Sequence, residues 1–190
     1  VADRTLLNHL VMDVSLIASM GMRVVLVHGS RPQIEELMSL RKLEGQFYKG
    51  VRITGPQELE CVKEACGETR FDIEAAFSQG LPNTPMQHSR IKVVSGNFVT
   101  ARPMGIIDGV DYLHTGVVRK VDAESIQDLL SRGNIVLVSP TGFSPTGEAF
   151  NLTTEDVATA IAVAIHADKL ILSVGVDGVR IQGEKQQDLT

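Results

Sequence analysis

Tryptophan is missing from this sequence, and no run of lysines and arginines interrupts its mildly negative net charge of −5. A nucleic-acid surface needs a basic patch, so that class is set aside. Long apolar runs are missing too. The strongest, at residues 24–27 and 170–174, have the length of a strand and fall far short of a membrane span. Cysteine is scarce: the spacing of Cys61 and Cys66 fits neither a redox C-x-x-C nor a tetrahedral metal site. Five residues apart on one expected helix, on different faces, they suit free thiols in a reducing cytoplasm better than a disulfide. The histidines His9, His28, His88, His114 and His166 are scattered, no two at a ligand spacing, so no metal is expected. There is no G-x-G-x-x-G, no phosphate-loop lysine and no G-x-S-x-G elbow. The opening Val1-Ala2-Asp3 has no initiator methionine and no charged-then-apolar leader. The expectation is a cytoplasmic chain, possessing neither membrane nor nucleic-acid partners and truncated at both ends.

What is present is alternation. Apolar residues at helical spacing, Leu6, Leu7, Leu10, Val11, Val14, Ile17 and Ala18, predict a helix over residues 6–20 that Gly21 stops. Residues 23–28, Arg-Val-Val-Leu-Val-His, are apolar on both parities, as a parallel strand buried on both faces should be. Ser30 and Gln33 offer a capping box, and Pro32 a first-turn proline, for a helix through residue 40. Residues 50–56 read as a loop, followed by helices at 57–65 and 71–77. Residues 80–88 are rich in turn formers. A strand at 91–95 breaks at Gly96-Asn97 and resumes over 98–102, as a hairpin or an excursion from the main sheet. Residues 105–121 carry strand pieces, with turns at Asp108-Gly109 and Thr115-Gly116. A helix over 123–130, a buried strand over 134–139, a loop over 140–147 and a helix over 155–166 follow. A third buried strand over 169–173 and a hairpin turn at Val176-Asp177-Gly178-Val179 complete the pattern. Strands alternating with helices predict an α/β fold. The central sheet is mostly parallel, covered on both faces, with an antiparallel hairpin appendage.

Four places can carry chemistry. Gly29 and Ser30 stand where a strand ends and a helix begins; backbone N–H groups and the helix dipole there favour a carboxylate or phosphate. The same residues also make an ordinary strand-to-helix turn. Arg52, in Gly50-Val51-Arg52-Ile53-Thr54, can fork to a carboxylate or stand on the surface of a loop. Asn151 and Glu155 lie in Phe150-Asn151-Leu152-Thr153-Thr154-Glu155-Asp156. A helix cap accounts for the threonines and acids, less well for Asn151, which suits a ligand's amide or carboxylate. Ser95-Gly96-Asn97-Phe98 with residues 116–120 permits left-handed backbone at Gly96-Asn97 but reads first as a turn. His28, beside Gly29, suits a structural hydrogen bond. Residue chemistry therefore reaches a small anionic ligand at the strand ends of an α/β domain.

Read together, these segments resemble the amino acid kinase family over nearly the whole chain. The family's V-V-x-V-H-G turn, G-x-R-x-T loop, asparagine-led acidic helix start and late G-V turn correspond to residues 24–29, 50–54, 151–155 and 170–179. Four further runs resemble one branch, the N-terminal domains of bacterial N-acetylglutamate synthases. They are Arg31-Pro32-Gln33-Ile34, Val94-Ser95-Gly96-Asn97-Phe98, Ile107-Asp108-Gly109-Val110-Asp111-Tyr112 and Gly147-Glu148-Ala149-Phe150-Asn151-Leu152-Thr153. The resemblance implies a three-layer αβα fold across residues 1–190. It also implies a homo-oligomer and a small-molecule partner (arginine as effector, glutamate or N-acetylglutamate). Acetyl transfer from acetyl-CoA to glutamate, opening arginine synthesis, belongs to a following domain. No catalytic residue and no cofactor is expected in this segment. Gly29, Ser30, Arg52, Asn151 and Glu155 are the expected ligand-binding residues.

Departures from the family's kinases are specific. Ser30 and Arg31 replace the glycines that let backbone wrap a migrating phosphate. The Lys-x-Gly-Gly strand is missing, and the aspartate of the late strand is replaced within Val174-Gly175-Val176. Phosphoryl transfer rests on positioning and charge neutralisation, so a binding domain without kinase chemistry is expected. An active N-acetylglutamate kinase or a non-catalytic amino-acid sensor is the alternative. Arg180-Ile181-Gln182-Gly183-Glu184-Lys185 matches an acetyl-CoA loop only partly and is not taken as one.

Overall fold

A computed structural model describes residues 4–79 and 91–173, with the backbone of 180–181 and 184–185. The elements run α1 (Arg4–Ser19), β1 (Val25–Val27), α2 (Arg31–Leu40), β2 (Gln46–Tyr48), β3 (Val51–Ile53) and α3 (Pro56–Ser78). Next come β4 (Val93–Ser95), β5 (Val99–Pro103), β6 (Ile106–Ile107), β7 (Val110–Asp111), β8 (Gly116–Val121) and α4 (Ala123–Ser131). The last are β9 (Ile135–Val138), β10 (Thr141–Phe143), β11 (Ala149–Asn151), α5 (Thr154–Ala164), β12 (Arg180–Ile181) and β13 (Glu184–Lys185).

Strand β9 organises the centre. It pairs in parallel with β1, Val25 opposite Val136, and with β4, Ser95 opposite Leu137. All of its residues are buried. Side chains alternate across a strand, so Val136 and Val138 pack with Ile126 and Leu130 of α4 and Val157 and Ile161 of α5. Ile135 and Leu137 pack on the other side with Val11 and Val14 of α1 and Ile73 and Phe77 of α3. The result is three layers with helices on both faces of the sheet, as apolarity on both parities predicts.

Two of the parallel strands continue past their ends. β4 runs through Gly96-Asn97 into β5, and β9 runs through Ser139-Pro140 into β10. β5 and β10 remain parallel neighbours, while β8 joins β5 and β11 joins β10 in antiparallel pairs. The second sheet therefore has the order β11-β10-β5-β8, and the break at residues 96–97 is an excursion into it. Gly96 does not adopt the expected left-handed backbone. Its smallness admits Phe98, whose Cζ would lie 2.9 Å from an added Cβ. At Gly116 an added Cβ would meet the Cβ of Phe150 at 2.7 Å and the carbonyl oxygen of Arg102 at 2.9 Å.

Several local expectations are corrected. The helices expected at 57–65 and 71–77 are one helix, α3, crossing Gly67 without a break. A mid-helix glycine costs about 1 kcal/mol, less than the continuous burial of Val62, Cys66, Thr69 and Ile73 returns. Residues 51–53 are not loop but the second strand of a hairpin with β2. Its two-residue turn has positive φ at both Lys49 (48°) and Gly50 (80°), the turn whose twist suits a hairpin. Residues 141–143, also read as loop, pair with β11. The expected turn at Thr115-Gly116 falls earlier: Thr115 N–H donates to the Tyr112 carbonyl at 2.9 Å, and Gly116 opens β8. Residues 169–173 are not a strand, and Ile171 is 84 % exposed. An apolar run becomes a strand only where a neighbour supplies the ladder and helices cover it; this run has neither among the described residues. Cys61 and Cys66, expected on different faces of a helix, are both buried against Ile34 and Met38 of α2 as free thiols. The expected turns at 80–88 and 176–179 lie outside the described residues.

Gly116→Ala should destabilise the protein by about 1–3 kcal/mol in urea unfolding, because one of the atoms it meets is backbone. Burial pushes the Cys66 thiol pKa up. Cys61 is 0 % and Cys66 5 % exposed, so both thiols should resist iodoacetamide in native buffer and react only when the chain unfolds; rapid native labelling would contradict the packing of α2 on α3.

Candidate functional site

The parallel strands deliver their carboxyl ends to one side of the sheet, and the polar residues there must find partners. His28, directly after β1, is only 5 % exposed. Its Nε2 lies 2.8 Å from Ser139 Oγ, just beyond β9, and its Nδ1 lies 3.3 Å from Ser30 Oγ. Burial is the main reason its pKa falls from 6.5 to about 4, which a hydrogen bond with the Gly29 backbone partly opposes. The imidazole is neutral at physiological pH and joins β1, β9 and the start of α2.

This arrangement corrects the capping box expected at Ser30 and Gln33. Ser30 occupies the N-cap position of α2, but its side chain caps nothing. The hydroxyl is turned inward to His28, the serine is 1 % exposed, and Gln33 Oε1 is buried with no partner. A buried imidazole nitrogen is costly to leave unpaired, and Ser30 Oγ serves it. Gly29 sits beside α5: an added Cβ would lie 3.6 Å from Thr154 Oγ1. The turns that open α2 and α5 thus adjoin. Glu155, in the first turn of α5, is exposed. Thr153 stands at the N-cap, again without a side-chain cap.

Arg52 lies on β3 and is 9 % exposed, not a surface arginine. Its Nη2 donates to Glu35 Oε1 at 3.3 Å and its Nη1 to Met38 Sδ at 3.1 Å, both on α2. The guanidinium stands 4.6 Å from the Phe47 ring centre. Burial pulls its pKa down, and the Glu35 carboxylate opposes that. Glu35 Oε1 also receives Arg31 Nε at 3.0 Å.

Asn151 closes β11 and is half-buried. Its Nδ2 lies 3.0 Å from Thr54 Oγ1. Thr54 Oγ1 lies 2.9 Å from Thr115 Oγ1, which accepts from Thr54 N–H at 3.0 Å and donates to the Arg52 carbonyl at 2.6 Å. The structure therefore joins Asn151 to the strand that carries Arg52, and Gly29 to the helix that carries Glu155. Thr54, Thr115 and Ser139 were not singled out from the sequence. Thr54 ends the G-x-R-x-T run, which was a usable signal. Thr115 had none, because a hydroxyl before a glycine reads first as a turn. Ser95, at the end of β4, donates to Glu74 Oε1 of α3 at 2.9 Å, apart from these two networks. Among the described residues, no group of three His, Cys, Asp or Glu side chains could hold a metal ion.

The model of the amino acid kinase family matches residues 1–188. The chain is 60% identical over 186 residues to the amino-acid acetyltransferase of Ralstonia nicotianae, covering 97% of this chain and 41% of that protein. Its fold resembles an N-acetylglutamate synthase from Neisseria gonorrhoeae solved with coenzyme A and L-arginine. The TM-score is 0.86 at 34% identity, over 94% of this chain and 42% of that one. The structure of a synthase from the same organism with coenzyme A and N-acetyl-glutamate gives a TM-score of 0.84 at 33% identity, over 96% and 41%. The chain thus spans about two fifths of the length of the relatives it matches.

The His28 environment sets a pH dependence. A base whose folded pKa lies below its unfolded value contributes stability above the unfolded pKa and loses it as pH falls through that range. Between pH 6.5 and about 4 the loss should reach about 3 kcal/mol. His28→Gln, which cannot charge, should lack this slope. Urea unfolding at pH 7, 5.5 and 4.5 on both proteins reads the difference; identical slopes would remove His28 from the acid response.

Proposed function

The chain belongs to the amino acid kinase family, and we propose that it is the amino-acid-binding regulatory domain of a longer enzyme that forms N-acetylglutamate. In this reading, acetyl transfer from acetyl-CoA to L-glutamate occurs on a part of the protein outside these 190 residues. This domain binds a small amino acid, arginine as effector or glutamate or N-acetylglutamate, and transfers no phosphate. The relatives named amino-acid acetyltransferase and N-acetylglutamate synthase support the reading.

One observation carries the non-kinase part. A phosphate cradle needs successive free backbone N–H groups with no side chains in the way. Behind Gly29 this chain has a buried serine turned to His28 and an arginine tied to Glu35. The N-terminus of α2 keeps its dipole, and Arg52 and Arg31 share one carboxylate. Positive charge without a cradle suits a carboxylate ligand better than a migrating phosphoryl group. We place Gly29, Ser30, Arg52, Asn151 and Glu155 around that ligand. Arg52 sets charge and holds β3 to α2, and Asn151 offers a polar contact. Among the described residues, no helix is long and apolar enough to cross a membrane, which fits a cytoplasmic enzyme. Exposed Leu10, Met12 and Leu16 on α1 fit packing within a homo-oligomer.

Intact protein should bind L-arginine or N-acetyl-L-glutamate by calorimetry. Asn151→Ala should weaken that binding by about 1–3 kcal/mol while the protein still folds cooperatively in urea, at some cost in stability from the Thr54 hydroxyl that loses its partner. Mg-ATP should produce no phosphorylated N-acetylglutamate; measurable turnover would return the protein to the kinases of its family.

A further inference from the structure

We propose that Asp108 and Tyr112 are positioning residues: they brace the β2–β3 hairpin, so that Arg52 can turn to a ligand without the hairpin coming loose. Arg52's part in binding is taken from the proposed function; the brace stands apart from it.

A two-stranded hairpin is marginal by itself, and β2 and β3 form a two-stranded sheet of their own. Arg52 fastens it to α2 through Glu35 and Met38. In the proposed function the same guanidinium also serves a ligand, so the hairpin needs a second hold. Residues 108–115 supply it from tip to base. At the tip, Lys49 Nζ donates to Asp108 Oδ2 at 2.6 Å. Midway, Tyr112 Oη donates to the Tyr48 carbonyl at 3.3 Å, and the two rings meet edge to face at 6.5 Å. At the base, His114 N–H donates to the Thr54 carbonyl at 2.9 Å, and Thr54 bridges to Leu113.

The brace is itself anchored, because β6–β7 prolongs the β5–β8 ribbon. Pro103 pairs with Gly116. Met104 N–H then donates to the Thr115 carbonyl at 2.9 Å, and Tyr112 N–H to the Gly105 carbonyl at 3.1 Å. That ribbon belongs to the four-stranded sheet, and Tyr112 is 2 % exposed.

The tips carry the sharpest observation. Both hairpins turn through a residue and a glycine with positive φ at each: Lys49 and Gly50 at 48° and 80°, Asp108 and Gly109 at 52° and 80°. Asp-Gly is a favoured pair for such a turn, and aspartate tolerates the left-handed backbone better than lysine does. Lysine at position 49 therefore works against its own turn. What it gains is reach: its ammonium meets Asp108 and lies 5.6 Å from the Tyr48 ring centre. An exposed ion pair between freely moving side chains is weak, but here each partner is held by a two-residue turn. Unfavourable backbone kept at a residue that joins two elements points to positioning.

The test sets turn chemistry against the brace. Lys49→Asp installs the favoured turn in β2–β3 but places two carboxylates against each other. A hairpin that stood by itself would then show slower amide exchange over residues 46–54. The brace requires faster exchange, by roughly three- to tenfold, in the intact ligand-free protein followed by mass spectrometry. Adding Asp108→Lys should restore the wild-type rate, and Tyr112→Phe, which keeps the ring, should raise it. In calorimetry with L-arginine and N-acetyl-L-glutamate, Lys49→Asp should bind more weakly and the double variant should recover. Slowed or unchanged exchange in Lys49→Asp, or no recovery in the double variant, would overturn the brace and leave the proposed site standing. Faster exchange with unchanged affinity would remove Asp108 and Tyr112 from the positioning of Arg52. Binding of neither ligand by any of the proteins, with exchange behaving as required, would overturn the proposed function and keep the brace.

Discussion

Polar groups at the end of a buried strand cannot reach bulk water, and the structure is arranged around that constraint. β9 is apolar on both faces and is covered by helices on both. Where the strands stop, hydroxyl, imidazole and amide groups appear at once, and they satisfy one another. His28 takes Ser139 on one nitrogen and Ser30 on the other. Thr54, Thr115 and Asn151 form a second closed chain under the hairpin. An unpaired buried polar group costs about 1–3 kcal/mol, so each network has few tolerable alternatives. That rigidity holds the turns at Gly29 and Asn151 in place.

This division separates the family's architecture from the turn that would hold a phosphate. The three-layer core draws on β1, β4, β9 and the helices around them, none of which needs a glycine at residues 30 or 31. A cradle for a phosphate, by contrast, needs free backbone at those positions. Putting Ser30 into the interior and Arg31 against Glu35 changes what the turn can hold and leaves the sheet beneath unchanged. Charge at the site then becomes the more durable feature, because it comes from a helix terminus and two guanidiniums on separate elements.

What was legible in the sequence follows from how many residues report each feature. Residues 23–28 and 134–139 announce buried parallel strands because four or more β-branched and aliphatic residues agree on both parities. The strands of β2–β3 and β10–β11 are three residues long, too short for a period. The first of these hairpins turns through Lys49, a residue with no preference for positive φ. Gly67 misled because propensity is local, whereas the stripe from Val62 to Ile73 that carries α3 across it is tertiary. Residues 170–172 misled in the opposite direction: the apolar pattern was read correctly, but a strand also requires a neighbour. At the site, Gly29, Arg52 and Asn151 were visible as residue types in suggestive places. The hydroxyls that connect them come from Thr54, Thr115 and Ser139, up to 111 residues away from their partners in the case of Ser139 and His28. No local pattern carries that information.

Arg52 shows where sequence and structure answer different questions. From the sequence it is either a carboxylate clamp or a surface residue. In the structure it is buried and already engaged, and engagement with protein looks at first like evidence against a ligand. The identity of its partners points the other way. Met38 sulfur is a weak acceptor, and the Glu35 oxygen it reaches is shared with Arg31. Glu35 is shared between two guanidiniums, and the Glu58 carboxylate adds a further favourable field at Arg52. Arg52 therefore fastens β3 to α2; in the proposed reading it also draws an acid to this end of the helix.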